Sequence, residues 1–171
     1  MKKNYIGNLT CLLNDNGLMG FVDDTGKWII DGIYENARDF SDGLAKVQKN
    51  GLWGFINENG ETVIPFQYED VTPFHEGLAR VKIDDKWCFI NTHGDIVLRL
   101  DYDNVMTFFK GLARVEKNHK FGFINKSGYE VVKPQFDFAG FDFEDGFAQV
   151  TLNDKDGFID TKGQWYDNKP K

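Results

Sequence analysis

A short pattern recurs along this chain at a nearly fixed interval, and that interval limits what the chain can fold into. A glycine–aromatic–aliphatic step appears as Gly20-Phe21-Val22, Gly54-Phe55-Ile56, Gly122-Phe123-Ile124 and Gly157-Phe158-Ile159, with Cys88-Phe89-Ile90 in the third place. Successive steps lie 34, 34, 34 and 35 residues apart. Six residues after the first member of each step stands a glycine: Gly26, Gly60, Gly94, Gly128 and Gly163. A second anchor, Phe40 to Val47, returns at Phe74 to Val81, Phe108 to Val115 and Phe143 to Val150. A third couples an aromatic to an acid, as Tyr34-Glu35, Tyr68-Glu69, Tyr102-Asp103 and Phe136-Asp137. Three anchors in phase mean that every copy solves the same packing problem. The units read as 6–39, 40–73, 74–107, 108–142 and 143–171, together one domain.

Within a unit the periodicity is that of strands. Gly77 to Ile83 alternates, Asp84-Asp85-Lys86 is a turn, and Trp87 to Ile90 is a second strand. Asn91 to Gly94 is a second turn, closed by a glycine suited to a left-handed backbone. Asp95 to Leu98 is a third strand, followed by an irregular return segment carrying Tyr102, Val105 and Phe108. Aromatic residues at 15% of the chain, sixteen of them Phe, support strands. Trp53 and Phe55 face one side of the middle strand, Gly54 and Ile56 the other, so both faces are apolar and both must be covered. The neighbouring copy is the natural cover, with small Gly and Ala positions letting large aromatic rings approach. The fold predicted is all-β: five tandem ~34-residue three-stranded antiparallel meanders stacked face to face as an open superhelical array. A small five-bladed β-propeller is the alternative, less favoured because its blades usually have four strands. The end copies are degenerate, as caps should be. Met19 replaces the Trp53, Trp87 or Phe121 of the others, Thr10 stands at the Leu place, Cys11 at the Ala place, and Asp156 at the aromatic place.

The run Lys49-Asn50-Gly51-Leu52-Trp53-Gly54-Phe55-Ile56-Asn57-Glu58-Asn59-Gly60, followed by Val63 to Glu69, closely resembles the WG-repeat (KWG) family of bacterial proteins. The resemblance spans about residues 6 to 166. It implies a β-repeat scaffold that mediates interactions, and it transfers no catalytic residue and no cofactor.

The formal net charge of −7 argues against nucleic acid, whose phosphates need a basic surface, and fits a basic protein partner. His75, His93 and His119 fall at three different repeat phases, and no Cys-x-x-Cys is present, so no metal site is expected. Cys11 and Cys88 occupy small-residue places and read as buried apolar groups. Glu35, Glu69, Asp103 and Asp137 form one acidic column, expected to cap backbone N–H groups in the connection. Asp42, Glu76 and Asp145 form a second. Lys46, Arg80 and Arg114 form a basic column, expected to pair with the acidic ones. No apolar run follows Met1-Lys2-Lys3, and no stretch reaches membrane-span length, so the chain reads as cytoplasmic and without a membrane partner.

No constellation of nucleophile, base and oxyanion donors is legible, so no enzyme and no catalytic residue is expected. The reading is a non-catalytic scaffold for protein–protein interaction, in a narrower form an immunity-type inhibitor of a basic partner. The residues that differ between copies near the Phe anchor are the expected contacts: Asp39, His75, Phe109, Lys110, Phe141 and Asp142. Self-association through the terminal units is a further expectation. The alternative is a lectin-like module using pairs such as Tyr68-Glu69 and Tyr102-Asp103 for glycans or small ligands.

Overall fold

The structure is a computed structural model describing residues 8–141 and 143–170. Among the described residues there is no helix, and hence none long and apolar enough to cross a membrane. The strands form five antiparallel sheets, none closed into a barrel. The first holds β1 (Thr10–Leu13), β2 (Met19–Val22) and β3 (Trp28–Tyr34). The second holds β4 (Asn36–Ala37), β5 (Ala45–Lys49), β6 (Leu52–Ile56) and β7 (Thr62–Tyr68). The third holds β8 (Leu78–Ile83), β9 (Lys86–Asn91) and β10 (Ile96–Leu100). The fourth holds β11 (Asn104–Val105), β12 (Leu112–Lys117), β13 (Lys120–Asn125) and β14 (Glu130–Phe136). The fifth holds β15 (Phe138–Ala139), β16 (Phe147–Leu152), β17 (Lys155–Asp160) and β18 (Trp165–Tyr166). Contacts divide the chain into two units, Met1–Asp85 with Phe89–Val97, and Lys86–Cys88 with Leu98–Lys171.

The meander of three strands is thus present in every copy, with one addition. The return segment contributes two residues as an outer strand to the sheet that follows it: Asn36 and Ala37 pair with Gln48 and Val47, and Phe138 and Ala139 with Thr151 and Val150. In the third sheet the same place holds a single bridge, Val71 to Val81.

Two kinds of turn repeat because their side chains impose them. The first hairpin closes on two residues with positive φ, as at Asn50 (52°) and Gly51 (75°) or Asn118 (50°) and His119 (61°), the geometry that matches strand twist. The second closes on Asp23, Asn57, Asn91, Asn125 or Asp160, whose side-chain oxygen accepts the N–H groups two and four residues on. The glycine of this second turn answers first to its positive φ, and in the later copies to space as well: a Cβ would make only ordinary contact with Ile30 on Gly60 and with Ile64 on Gly94, both at 3.4 Å, but would lie 3.1 Å from Leu98 on Gly128 and 2.7 Å from Val132 on Gly163.

The first copy breaks the pattern and shifts by one residue. Asn14 Oδ1 accepts from Asn16 and Leu18, so its first hairpin uses the longer turn in place of the two-residue one. Thr10 therefore pairs with Val22, as Ala45 pairs with Ile56. Leu9, not Thr10, fills the Leu place, and Cys11 occupies the place of Lys46 rather than that of an Ala.

The sheets pack through their faces as the two-sided apolar pattern requires. In the first unit Phe21, Ile30 and Tyr34 of one sheet meet Ala37, Ala45, Val47 and Ile56 of the next. In the second unit Phe123, Val132 and Phe136 meet Ala139, Ala148, Val150 and Ile159. Large side chains thus sit against alanines. The Trp-Gly glycine has a different cause from the one expected: it is crowded within its own sheet. A Cβ on Gly54 would lie 2.7 Å from Ile64 O and 3.0 Å from Phe66 N, because β7 bulges over it. Pro65, which donates no hydrogen bond, sits in that bulge.

Gly54→Val should cost about 3 kcal/mol, since backbone must move to admit the side chain. Gly43→Ala, at φ 77° with open space around it, should cost about 1 kcal/mol. Urea midpoints of the two variants measure this; equal losses would contradict the crowding account.

Candidate functional site

Several of the charged side chains that recur between copies serve the backbone. Glu35 accepts the N–H groups of Asn50 (2.9 Å) and Gly51 (2.8 Å) in the first hairpin turn of the next sheet. Asp103 does the same for Asn118 (2.6 Å) and Asp137 for Asn153 (2.8 Å). The first acidic column thus caps N–H groups, but those of a hairpin turn rather than of the connection. Glu69, its fourth member, is exposed and faces a turn made of Asp84 and Asp85. In the second column Asp42 accepts from Gly77 N at 2.7 Å, and Asp145 pairs with Lys169 at 3.0 Å.

Two members of the basic column, Lys46 and Arg114, reach backbone carbonyls. Lys46 Nζ donates to Val71 O at 2.8 Å and lies 4.3 Å from the Trp53 ring centre. Arg114 donates to Ala139 O at 2.6 Å and lies between the rings of Phe121 (4.8 Å) and Phe141 (4.3 Å). Both satisfy a carbonyl of the return segment, and both are partly desolvated, which lowers their pKa. Cys11, in the same repeat place, points its thiol at Ala37 O, 3.9 Å away. Burial first and then Asp39 raise the Cys11 pKa, the opposite of what a nucleophile needs.

The residues expected to contact a partner scatter in role. Asp39 accepts from Cys11 N at 2.7 Å and belongs to the scaffold. His75 is exposed, and its backbone N–H bonds to Leu78 O in a turn. Phe109 is 37% exposed under Lys110, which also donates to Phe143 O at 3.1 Å. Phe141 is 67% exposed. Asp142 lies outside the described residues. Among the described residues no group of three or more His, Cys, Asp and Glu side chains could hold a metal ion.

The concave surfaces lie elsewhere, between successive sheets, where the end of one third strand faces the first hairpin of the next sheet. In the first unit a cleft of about 500 Å³ is lined by Tyr68, Glu69, Lys82, Asp84, Asp85 and Ile96 among others. In the second unit a cleft of about 630 Å³ is lined by Arg99, Tyr102, Lys117, Lys120, Glu130 and Lys133, with Asp101 and Pro134. The two are built from equivalent places: Tyr68 corresponds to Tyr102, Ile83 to Lys117, Asp84 to Asn118 and Ile96 to Glu130. Their charge is opposite. Three carboxylates face one lysine in the first, whereas four cations face two carboxylates in the second. Tyr68, Glu69 and Tyr102, named in the sequence only as members of aromatic–acid pairs, line these clefts; nothing in the sequence singled out Arg99 or Lys133.

A chain of tandem antiparallel meanders that bury one another's faces is a β-repeat protein. It belongs to the WG containing repeat family, whose model matches residues 19–53, 53–87, 89–121 and 121–155. No curated protein matches the chain. Among solved structures, a protein of unknown function from Bacteroides caccae is similar over 86% of this chain and 73% of its own, at 15% identity and a TM-score of 0.39.

Two titrations test the second cleft. Hydrogen bonds from Lys86 and Lys117 hold the Asp101 carboxyl down at about 2. Its folded pKa is thus below the unfolded one, so its contribution is present above about pH 4 and is lost as pH falls toward 2. Melting temperatures measured across that window should fall less steeply in Asp101→Asn, and less steeply in high salt. Partial burial, and then the Glu130 carboxylate 2.8 Å away, push the Tyr102 phenol up to about 12. The neutral phenol is the folded-state form, so this contribution is complete below about pH 10 and disappears as pH rises through 12. In an ultraviolet phenolate titration, Glu130→Gln should bring the Tyr102 midpoint back toward 10.

Proposed function

We propose that this chain is a non-catalytic scaffold that binds other proteins through the clefts between its successive sheets. One observation carries the reading: the same cleft is built twice from equivalent repeat places and lined by different side chains. The residues that hold the frame are used up by it. Glu35, Asp103 and Asp137 cap turns, and Lys46 and Arg114 cap carbonyls. The side chains that differ between the clefts are left to choose a partner, which is how repeat proteins diversify a shared surface.

The partner favoured by the whole molecule is basic. The chain carries −7, and Glu69, Asp84 and Asp85 converge on the first cleft. This supports an inhibitor that neutralises a cationic protein, because charge complementarity speeds encounter and selects partners. Phe141, at 67% exposure beside Arg114, supplies an aromatic–arginine contact of the kind that dominates interface energetics. The lectin reading gains no such support. Tyr34 and Tyr68 are 4% and 5% exposed, and three of the four acids beside these aromatics accept from backbone N–H groups.

A photoreactive phenylalanine analogue placed at Asp85 or at Lys133, in cells that naturally produce the chain, should yield crosslinked adducts of defined mass. The same group at exposed Asp24, in a turn away from both clefts, should yield none. Indiscriminate labelling at all three positions would sink the reading.

A further inference from the structure

Arg99 and Lys133 hold the same place in consecutive copies, where the two earlier copies have Asp31 and Pro65. Both are exposed, and both line the second cleft together with the Tyr102 ring and Pro134. The other charges there are engaged. Lys117 binds Asp101 through its carbonyl (2.8 Å) and its carboxylate (3.0 Å), and Lys120 bonds to Asp137. Glu130 receives the Tyr102 hydroxyl at 2.8 Å. The side chains of Arg99 and Lys133 have no hydrogen bond or ion pair among the described residues. Two uncommitted cations therefore converge on one concavity with an aromatic and a proline beside them.

We propose that this cleft binds a short carboxylate-bearing peptide segment of a partner protein. The inference rests on the clefts being binding surfaces and names the chemistry of one of them. The Arg99 guanidinium offers a planar fork that a carboxylate meets with two parallel hydrogen bonds, and Lys133 adds a point charge beside it. Tyr102 and Pro134 offer apolar surface to the side chain next to that carboxylate. A nucleic acid strand fits poorly. Its continuous phosphates would meet Asp101 and Glu130 in the same cleft and a chain of net charge −7 around it. A single anionic residue between neutral ones avoids both.

The test uses the whole chain and a short peptide, Gly-Gly-Glu-Phe-Gly with blocked ends, followed by two-dimensional amide NMR. The acidic peptide should shift the backbone amides of Arg99, Tyr102 and Lys133 saturably. Changing both cations, as Arg99→Gln with Lys133→Gln, should weaken binding about tenfold or more while leaving the melting temperature unchanged. Lys27→Gln, an exposed cation outside the cleft, should leave binding intact. The proposal is overturned if the glutamine counterpart of the peptide binds equally well. It is overturned too if inorganic phosphate alone gives the same shifts, or if a short single-stranded DNA binds more tightly at these residues. If the acidic peptide shifts nothing while crosslinking at Lys133 persists, the carboxylate assignment is wrong and the binding-surface reading stands. Loss of both removes both.

Discussion

One contact recurs where a sheet meets the segment that leads into the next: a phenylalanine of the middle strand against a phenylalanine of the return segment. Phe21 meets Phe40 at 4.9 Å, Phe55 meets Phe74 at 4.7 Å, and Phe123 meets Phe143 at 4.9 Å, with the ring planes inclined to each other. Phe55, Phe74, Phe123 and Phe143 are almost wholly buried. Burying one such ring is worth roughly 2–3 kcal/mol, and a tilted pair about 1 kcal/mol more. A sheet of three short strands lacks enough surface to be stable by itself. The ring pair supplies that surface from residues 19 or 20 positions apart, so a copy is completed by the start of the next. The other repeated features follow from it. Alanines at Ala45 and Ala148 let one sheet close on the large side chains of its neighbour. Glycines at Gly128 and Gly163 let the turns ride over Leu98 and Val132.

Much of this was legible because a repeat reads the same constraint several times. The strands β8 to β10 fall within a residue or two of where alternation and turn residues put them. The left-handed glycines recur with φ of 76° at Gly60, 87° at Gly94 and 81° at Gly128. What escaped the sequence has identifiable causes. The outer strand of two residues, Asn36–Ala37, is too short to show a period. The shifted first copy depends on Asn14 choosing the longer turn, and the one-residue slip there moves Thr10 to the Ala place and Cys11 to that of Lys46. The target of the acids was hidden because Glu35 reaches a turn fifteen residues away. A carboxylate looks the same in sequence whether it caps an N–H group or awaits a cation. The clefts were hidden for a related reason: they are lined by residues that vary, whereas repeat analysis draws attention to those that do not.

That division between fixed and variable places explains how an acidic chain presents a basic cleft. Net charge acts at long range and sets the average field. At physiological ionic strength that field is screened over about 8 Å, so a group entering a cleft responds mainly to the charges lining it. Lys117 in place of Ile83, Asn118 in place of Asp84 and Arg99 in place of Pro65 leave the ring pairs and the hairpin turn intact, yet they help to reverse the charge that lines the concavity. The scaffold tolerates this because its cohesion comes from Phe, Ala and Gly places on the faces, and the charge of its clefts from exposed places on third strands and hairpins. Net charge alone, read as a guide to partners, therefore describes the chain's average and misses its second cleft.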